Sequence, residues 1–274
     1  MITVLDPGPL LTVQDLGRPG YAALGVPRSG AFDRGAHRLA NRLVGNPEQA
    51  AGLEFVLTCA LRLDTAATVA LAGAPCPGLD WGTPVSLPAG TVLRLAAPAT
   101  GLRGYLAVRG GIAVGPVLGS RSTDTLSGLG PARPAVGDVL TLGPEPDDPV
   151  GQASAIRPRS RGVELRLTAG PRADWFRDLD ALTAQRWTVR PDSDRVGLRL
   201  DGPPLVRTRK GELPSEATIP GAVQVPPDGR PILFGPDAPV SGGYPVVAVV
   251  READLDLAAQ LRPGDPVRLR WLRS

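Results

Sequence analysis

At 274 residues, 42% of them apolar, the chain is long enough for one large or two ordinary domains and too apolar to be disordered. The net charge of +3 is small, and arginine supplies all but one of the 30 basic residues; Lys210 is the exception. The densest basic runs, "RPRSR" (157–161) and "RTRK" (207–210), sit among Pro, Gly and Ser rather than on a stripe, which argues against a nucleic-acid binder.

Taken in chain order, the start "MITVLDPGPL" lacks the basic segment and long apolar run of a secretion signal, so a cytoplasmic location is expected. The stretch 12–33, "TVQDLGRPGYAALGVPRSGAFD", is polar, glycine-rich and without a hydrophobic period. Asp33 is placed to cap a helix over "RGAHRLANRLVG", whose Ala36, Leu39, Ala40, Leu43 and Val44 share a face and whose stop is Gly45. Asn46-Pro47-Glu48-Gln49 has the form of a second helix start: a capping residue, then proline, then glutamine three after the cap.

Strand-like runs follow at short intervals: 67–73, 91–97, 103–111, 138–143, 163–170, 197–202 and 244–250. Each is rich in Val, Leu, Ile or Thr and bounded by Gly, Pro or Asp, a spacing that suits an all-β barrel or sandwich. Two further helices are expected, through "ADWFRDLDALTAQ" (173–185) and over "DLDLAAQL" (254–261). The segment 144–161, "PEPDDPVGQASAIRPRSR", reads as a linker between domains 1–143 and 162–274. The halves end alike, in "VGDVLTLG" (136–143) and "PGDPVRLR" (263–270).

The chemistry these residues offer is narrow. Cys59 and Cys76 are too few and too far apart for a disulfide framework or a zinc site, and no metal site is expected. His37, the single histidine, reads as a partly exposed helix residue rather than a catalytic one. Neither a Walker-type loop nor a dinucleotide fingerprint occurs, so no cofactor is expected on this chain. What remains is polar side chains in glycine-rich segments: Gln14, Asp15, Arg18, Ser29 and Asp33; "LGSRSTDT" (118–125); "DSDRVG" (192–197); and residues 213–245. Such groups suit hydrogen bonding to a small planar amide or carboxylate, and equally the tight turns of a β-rich protein.

The segment from Pro7 to Asp33 resembles the opening of the C-type subunits of 5-oxoprolinase, also known as biotin-dependent carboxyltransferase or second allophanate-hydrolase-type subunits. The resemblance continues in order through "ANRLVGN" (40–46), "AAGLE" (50–54), "LAGAPC" (71–76), "YLAVRGGI" (105–112) and "VLGSRSTDT" (117–125). It extends through "SDRVGLRL" (193–200), "PGAVQVPPDGRPI" (220–232), "SGGYP" (241–245) and "AQLRPGD" (259–265), essentially the whole chain. The "APVSGGYP" stretch departs from the threonine pair usual in the family.

The resemblance implies tandem cyclophilin-like β-barrels. It implies a subunit of an ATP-dependent complex that opens 5-oxoproline to glutamate, with a smaller B-type, cyclophilin-like subunit and an ATP-using A-type subunit as partners. ATP would be used by the complex, not bound by this chain. The alternatives are a carboxyltransferase component of a urea carboxylase or allophanate-type system, and a regulatory antagonist of a kinase-inhibitor-type subunit. On this reading Ser215, Glu216 and Gln224 are the catalytic candidates, Glu216 acting as a base only if burial raises its pKa. Asp15, Arg18, Ser29, Arg195, Gly242, Gly243 and Tyr244 are the substrate-binding candidates, with the two glycines expected either at positive φ or at a close backbone approach.

Overall fold

The computed structural model describes residues 1–153, 163–209, 211 and 213–272. The second part of the expected linker, residues 154–161, together with Gly162 and Lys210, lies outside the described residues. The chain divides into two units. One comprises residues 1–18, 29–124 and 128–160, the other residues 19–28, 125–127 and 161–274. Two short segments that precede residue 143 therefore group with the second unit.

In the first unit the elements run β1 (Ile2–Asp6), β2 (Leu10–Gln14), α1 (Arg34–Leu43), β3 (Gly52–Val56), β4 (Cys59–Leu63), β5 (Ala67–Gly73), β6 (Pro84–Leu87), β7 (Val92–Leu95), β8 (Arg103–Val108) and β9 (Val139–Leu140). They form a four-stranded sheet, β7-β4-β1-β9, and a five-stranded one, β2-β3-β8-β5-β6. Ile2, Val4, Leu61 and Leu63 of the first sheet share one core with Leu11, Leu53, Phe55, Val69 and Leu106 of the second. Helix α1 covers the other face of the larger sheet, packing Ala36, Ala40 and Leu43 on Ala70, Ala72, Tyr105 and Ala107. With both faces covered, β8 is buried at every position and shows no polar alternation.

Helix α1 forms for the reasons its sequence supplies. The Asp33 carboxylate accepts from the Ala36 N–H at 2.8 Å, and Gly45 follows the helix at φ +72°. A side chain at Gly45 would meet Arg109 Nη1 at 2.5 Å, so the stop is also a close approach. His37 corrects an expectation: it is 2% exposed, not partly exposed, because it lies on the apolar face of α1. The expected second helix is absent. Residues 47–50 make only a turn, closed by Ala50 N–H on Pro47 O, while the Asn46 amide donates to Val108 O and its oxygen accepts from Gly110 N–H. The would-be cap is spent on the end of β8.

The second unit holds β10 (Val163–Ala169), α2 (Ala181–Ala184), β11 (Arg186–Val189), β12 (Gly197–Asp201), β13 (Glu216–Ala217), β14 (Ala222–Gln224), β15 (Ile232–Phe234), β16 (Ser241–Gly242), β17 (Val246–Val250), α3 (Glu252–Ala259) and β18 (Pro266–Trp271). Seven strands close a barrel in the order β10-β17-β14-β15-β12-β11-β18. The expected barrel is present here, closed by a parallel pairing of β10 with β18 from Val163–Val267 to Leu167–Trp271. Alternation is clean: Val267 and Leu269 point inward and Arg268 and Arg270 outward. Trp187 fills the interior and donates its indole N–H to Leu182 O at 2.9 Å.

The helix expected over 173–185 is broken into a 3-10 turn, Ala173–Trp175, and the short α2. Between them Phe176 is extended and bridges to Arg207, so tertiary pairing overrides local helix preference. Helix α3 begins two residues before the expected start and is tied to β10 by the Arg166–Asp254 ion pair, with Nε to Oδ2 at 2.8 Å.

Candidate functional site

In the first unit the opening polar segment closes on residues 117–124. Asp15 is 6% exposed and accepts from Ser120 Oγ (2.7 Å), Ser122 Oγ (2.5 Å), Arg121 N–H (2.6 Å) and Gly17 N–H (2.8 Å). Arg18, 1% exposed, donates to Ser122 O at 2.5 Å and Val117 O at 3.3 Å. Ser29, held at φ +53°, donates to Thr123 O at 3.2 Å. Gly30 makes this closure possible, since at φ +89° a Cβ there would lie 2.6 Å from Gly17 N. Expected to face a pocket, Asp15, Arg18 and Ser29 instead devote most of their polar atoms to backbone groups and hydroxyls of the neighbouring loop. Gln14 Oε1 and Arg18 Nη1, an acceptor and a donor, are buried without a hydrogen-bond partner among the described residues.

Behind this segment lies a buried network not singled out from the sequence. Glu54 of β3 is 0% exposed, and its Oε2 accepts from Tyr105 OH (2.8 Å) and Phe32 N–H (3.0 Å). The Tyr105 oxygen in turn accepts from Asp33 N–H at 2.8 Å. Arg103 pairs with Glu54 at 3.5 Å and stacks its guanidinium 4.7 Å over the Phe32 ring. Burial, then the Glu54 and Asp33 charges, hold the Tyr105 hydroxyl well above its usual pKa. Burial also depresses His37 to about 4, against the opposing pull of Asp15 and Glu54, so its ring is neutral near pH 7. The ring sits edge-on to Tyr105, and His37 Nε2 lies 3.1 Å from the Asn41 amide.

The second unit brings four of the remaining candidates together. Strands β13 and β16 pair Glu216 with Gly242, and the buried Gln224 amide donates to Tyr244 O at 2.9 Å. Neither Gly242 nor Gly243 has a left-handed φ; of the two alternatives expected for this turn, positive φ or close approach, Gly242 shows close approach. Gly242 leaves room for the Gln224 amide: a Cβ there would lie 2.7 Å from Gln224 Nε2 and push it aside, whereas at Gly243 the nearest atom is Leu213 O at 3.4 Å. Ser215 is exposed, beside Glu216 in the chain, and Tyr244 is 43% exposed.

Glu216 does not meet the condition for a general base. Arg172 clasps its carboxylate, with Nε at 3.0 Å and Nη2 on the other oxygen, and these hydrogen bonds lower its pKa rather than raise it. Arg172, just after Gly170-Pro171, is absent from the sequence-derived candidates; no local signal distinguishes it from a surface arginine. Arg195 is likewise committed. It is 1% exposed and forms a forked pair with Asp237, at 2.8 and 3.0 Å. Asp237 also accepts from Thr125 N–H (3.0 Å) and Oγ1 (2.7 Å). Burial works against its ionisation, yet Arg195 and Thr125 prevail and hold its carboxyl below the ordinary range.

A cleft of about 390 Å³ in the first unit is lined by Asn46, Pro47, Ile112, Arg121 and Glu145 among others; of the polar segments singled out from the sequence it touches only 118–125, through Arg121, and it includes none of the catalytic or substrate-binding candidates. Among the described residues no group of three or more His, Cys, Asp or Glu side chains is placed to hold a metal ion. Nor is any described helix long and apolar enough to cross a membrane.

Comparison with known proteins places these motifs. Residues 24–271 match the family model for the carboxyltransferase domain, subdomains A and B. The chain is 39% identical to the C-type subunit of 5-oxoprolinase from Escherichia coli, over 97% of this chain and 90% of that protein. It is 34% identical to urea amidolyase of Lachancea kluyveri, again over 97% of this chain but only 16% of that much longer protein. Among solved structures, urea carboxylase of Kluyveromyces lactis superposes with a TM-score of 0.92 at 31% identity, covering 99% of this chain and 27% of that one. A further solved chain, 38% identical with a TM-score of 0.88, is likewise longer: this chain spans 55% of it.

Proposed function

The chain belongs to the carboxyltransferase domain family, subdomains A and B, and from that premise we propose that it is the C-type subunit of an ATP-dependent 5-oxoprolinase, opening 5-oxo-L-proline to L-glutamate together with partner subunits. The observation that carries this reading is the match to the Escherichia coli protein across nearly the full length of both chains. In the fungal urea amidolyase the matching sequence is one segment of a much longer chain. The partners in this reading are a smaller B-type subunit and an A-type subunit that uses ATP.

The reaction needs a lactam whose carbonyl carbon accepts water. Phosphorylation of the lactam oxygen, carried out with a partner subunit, makes that carbon electrophilic. Water then adds, the ring C–N bond breaks with the nitrogen leaving as an amine that takes a proton, and a second water cleaves the resulting acyl phosphate to give the carboxylate and free phosphate. This chain contributes fixed hydrogen-bonding groups at the amide. In the second unit Glu216, ionised and oriented by Arg172, acts as an acceptor and electrostatic anchor rather than as a base. Gln224, Ser215, Gly242, Gly243 and Tyr244 form the wall around it.

The second reading, carboxyl transfer to a urea-like amide, is favoured by the superposition on the Kluyveromyces lactis urea carboxylase. One experiment separates the two. The chain is purified with its co-encoded neighbours and assayed for ATP hydrolysis dependent on 5-oxoproline, and in parallel on urea with bicarbonate and a biotin carrier. Stimulation by 5-oxoproline alone is the expected result; stimulation by urea alone transfers the assignment to the second reading. No stimulation by either leaves a non-catalytic, regulatory role for the chain on its partner.

A further inference from the structure

A second cleft, about 560 Å³, opens on the outside of the seven-stranded barrel, away from every residue assigned a role above. Its walls include Glu164, Gln185, Arg186, Arg268, Arg270 and Trp271. Strands β11 and β18 run antiparallel here with Arg186 directly opposite Arg268. Both side chains are exposed and share the outward face. Like charges placed directly opposite in a sheet repel, and such pairs destabilise the ladder unless something neutralises them.

Glu164 faces Arg268 across the β10–β18 pair, but its carboxylate contacts Arg270, and one negative charge does not offset the arginines around it. Other arginines around the barrel are paired: Arg166 with Asp254, Arg190 and Arg199 with Asp192, Arg230 with Asp201. Arg270 reaches Glu164 at 3.2 Å. Among the described residues, the Arg186 and Arg268 guanidinium groups have no carboxylate partner and no hydrogen bond. The cleft thus holds three arginines against one glutamate, an excess of two positive charges in a concave site. Concavity matters, because the low-dielectric walls concentrate the field on whatever enters.

The geometry points to a binding site for a phosphate-bearing small molecule between Arg186 and Arg268. Two guanidinium forks side by side present N–H donors that match the oxygens of a tetrahedral dianion, a geometry an ammonium group does not offer. Trp271, at the end of the same cleft, supplies an aromatic wall against which the remainder of a phosphate ester packs. The inference is independent of the reading of the 5-oxoproline site, since it shares no residue with it.

The test is isothermal titration and thermal denaturation of the purified full chain with inorganic phosphate and, separately, with ADP, at constant ionic strength set with chloride. Saturable binding with a dissociation constant below about 1 mM is expected, weakened about tenfold or more in Arg186→Gln and in Arg268→Gln. Without phosphate, either variant should melt no lower than the parent chain, because each removes a repulsion. That second readout distinguishes a built site from damage to the fold. Tighter binding of ADP than of phosphate, lost in Trp271→Ala, identifies the ligand as a phosphate ester. Equal affinity identifies free phosphate. The proposal is overturned if neither anion binds up to about tenfold above that limit, or if both glutamine variants bind as the parent does. It is also overturned if only an acidic peptide such as polyglutamate binds.

Discussion

Removing the Asp237 carboxylate, as in Asp237→Ala, takes a forked charge partner from the buried Arg195 guanidinium of the second unit. The two side chains are 0% and 1% exposed, and the hydrogen bonds that Asp237 receives include two from Arg195 and two from Thr125. Arg195 is buried, so solvent does not replace the forked pair, and the cost is that of breaking a buried ion pair, about 3–5 kcal/mol. That is a large share of the ~5–15 kcal/mol by which a domain is stable. Urea unfolding followed by tryptophan fluorescence measures it, since Trp187 is fully buried in the same unit. The sign with pH follows from the depressed carboxyl. The stabilisation is present above the ordinary carboxyl pKa of about 3.9 and is lost as pH falls through the lower folded value, so parent and variant converge in acid. Arg195→Met combined with Asp237→Leu removes both charges and should recover most of the loss. A cost for Asp237→Ala under about 1 kcal/mol, or a double variant no better than the single one, would refute this account of Arg195 as a structural rather than a substrate-binding residue.

Gly242→Ala should cost about 1–3 kcal/mol and lower the activity of the assembled enzyme, because its Cβ displaces the Gln224 amide from Tyr244 O. Gly243→Ala should behave nearly as the parent; equal effects at the two positions would contradict the geometry. For His37, whose folded value of about 4 lies below the ordinary 6.5, stability is full above the ordinary value and falls as pH drops toward the folded one. Between pH 7.5 and 5.0 the parent chain should therefore lose about 2 kcal/mol more than His37→Gln, while the variant keeps most of its activity at neutral pH. Co-expressed with the B-type subunit, the chain should elute in size-exclusion chromatography as one hetero-oligomer burying more than about 1,000 Å²; separate elution at micromolar concentration speaks against a shared complex.

What the sequence reveals here is mostly what is local. The Asp33 cap, the Gly45 stop and the inward–outward alternation of β18 each depend on neighbours a few residues away, and they are legible. The fates of polar side chains are not. Asp15 is answered by Ser120 and Ser122, and Arg195 by Asp237, partners that no periodicity links to them. Glu54 and Arg172 stay hidden for the same reason: a glutamate in a strand and an arginine after a Gly-Pro turn look like surface residues until the chain returns to meet them. Asn46 shows the converse. Its capping signature is sound locally, but the end of β8 claims the side chain first.

The parallel seam between β10 and β18 has a consequence for synthesis. The first strand of the barrel, beginning at Val163, finds one of its two neighbours only when Val267 and the residues after it are made. Until then a nascent chain carries two open strand edges, on β10 and on β11, each able to pair with another chain. Long-range pairing of this kind also folds slowly. The barrel is thus most exposed to misassembly during translation and just after, and any cleavage that removes β18 returns the mature protein to that vulnerable state.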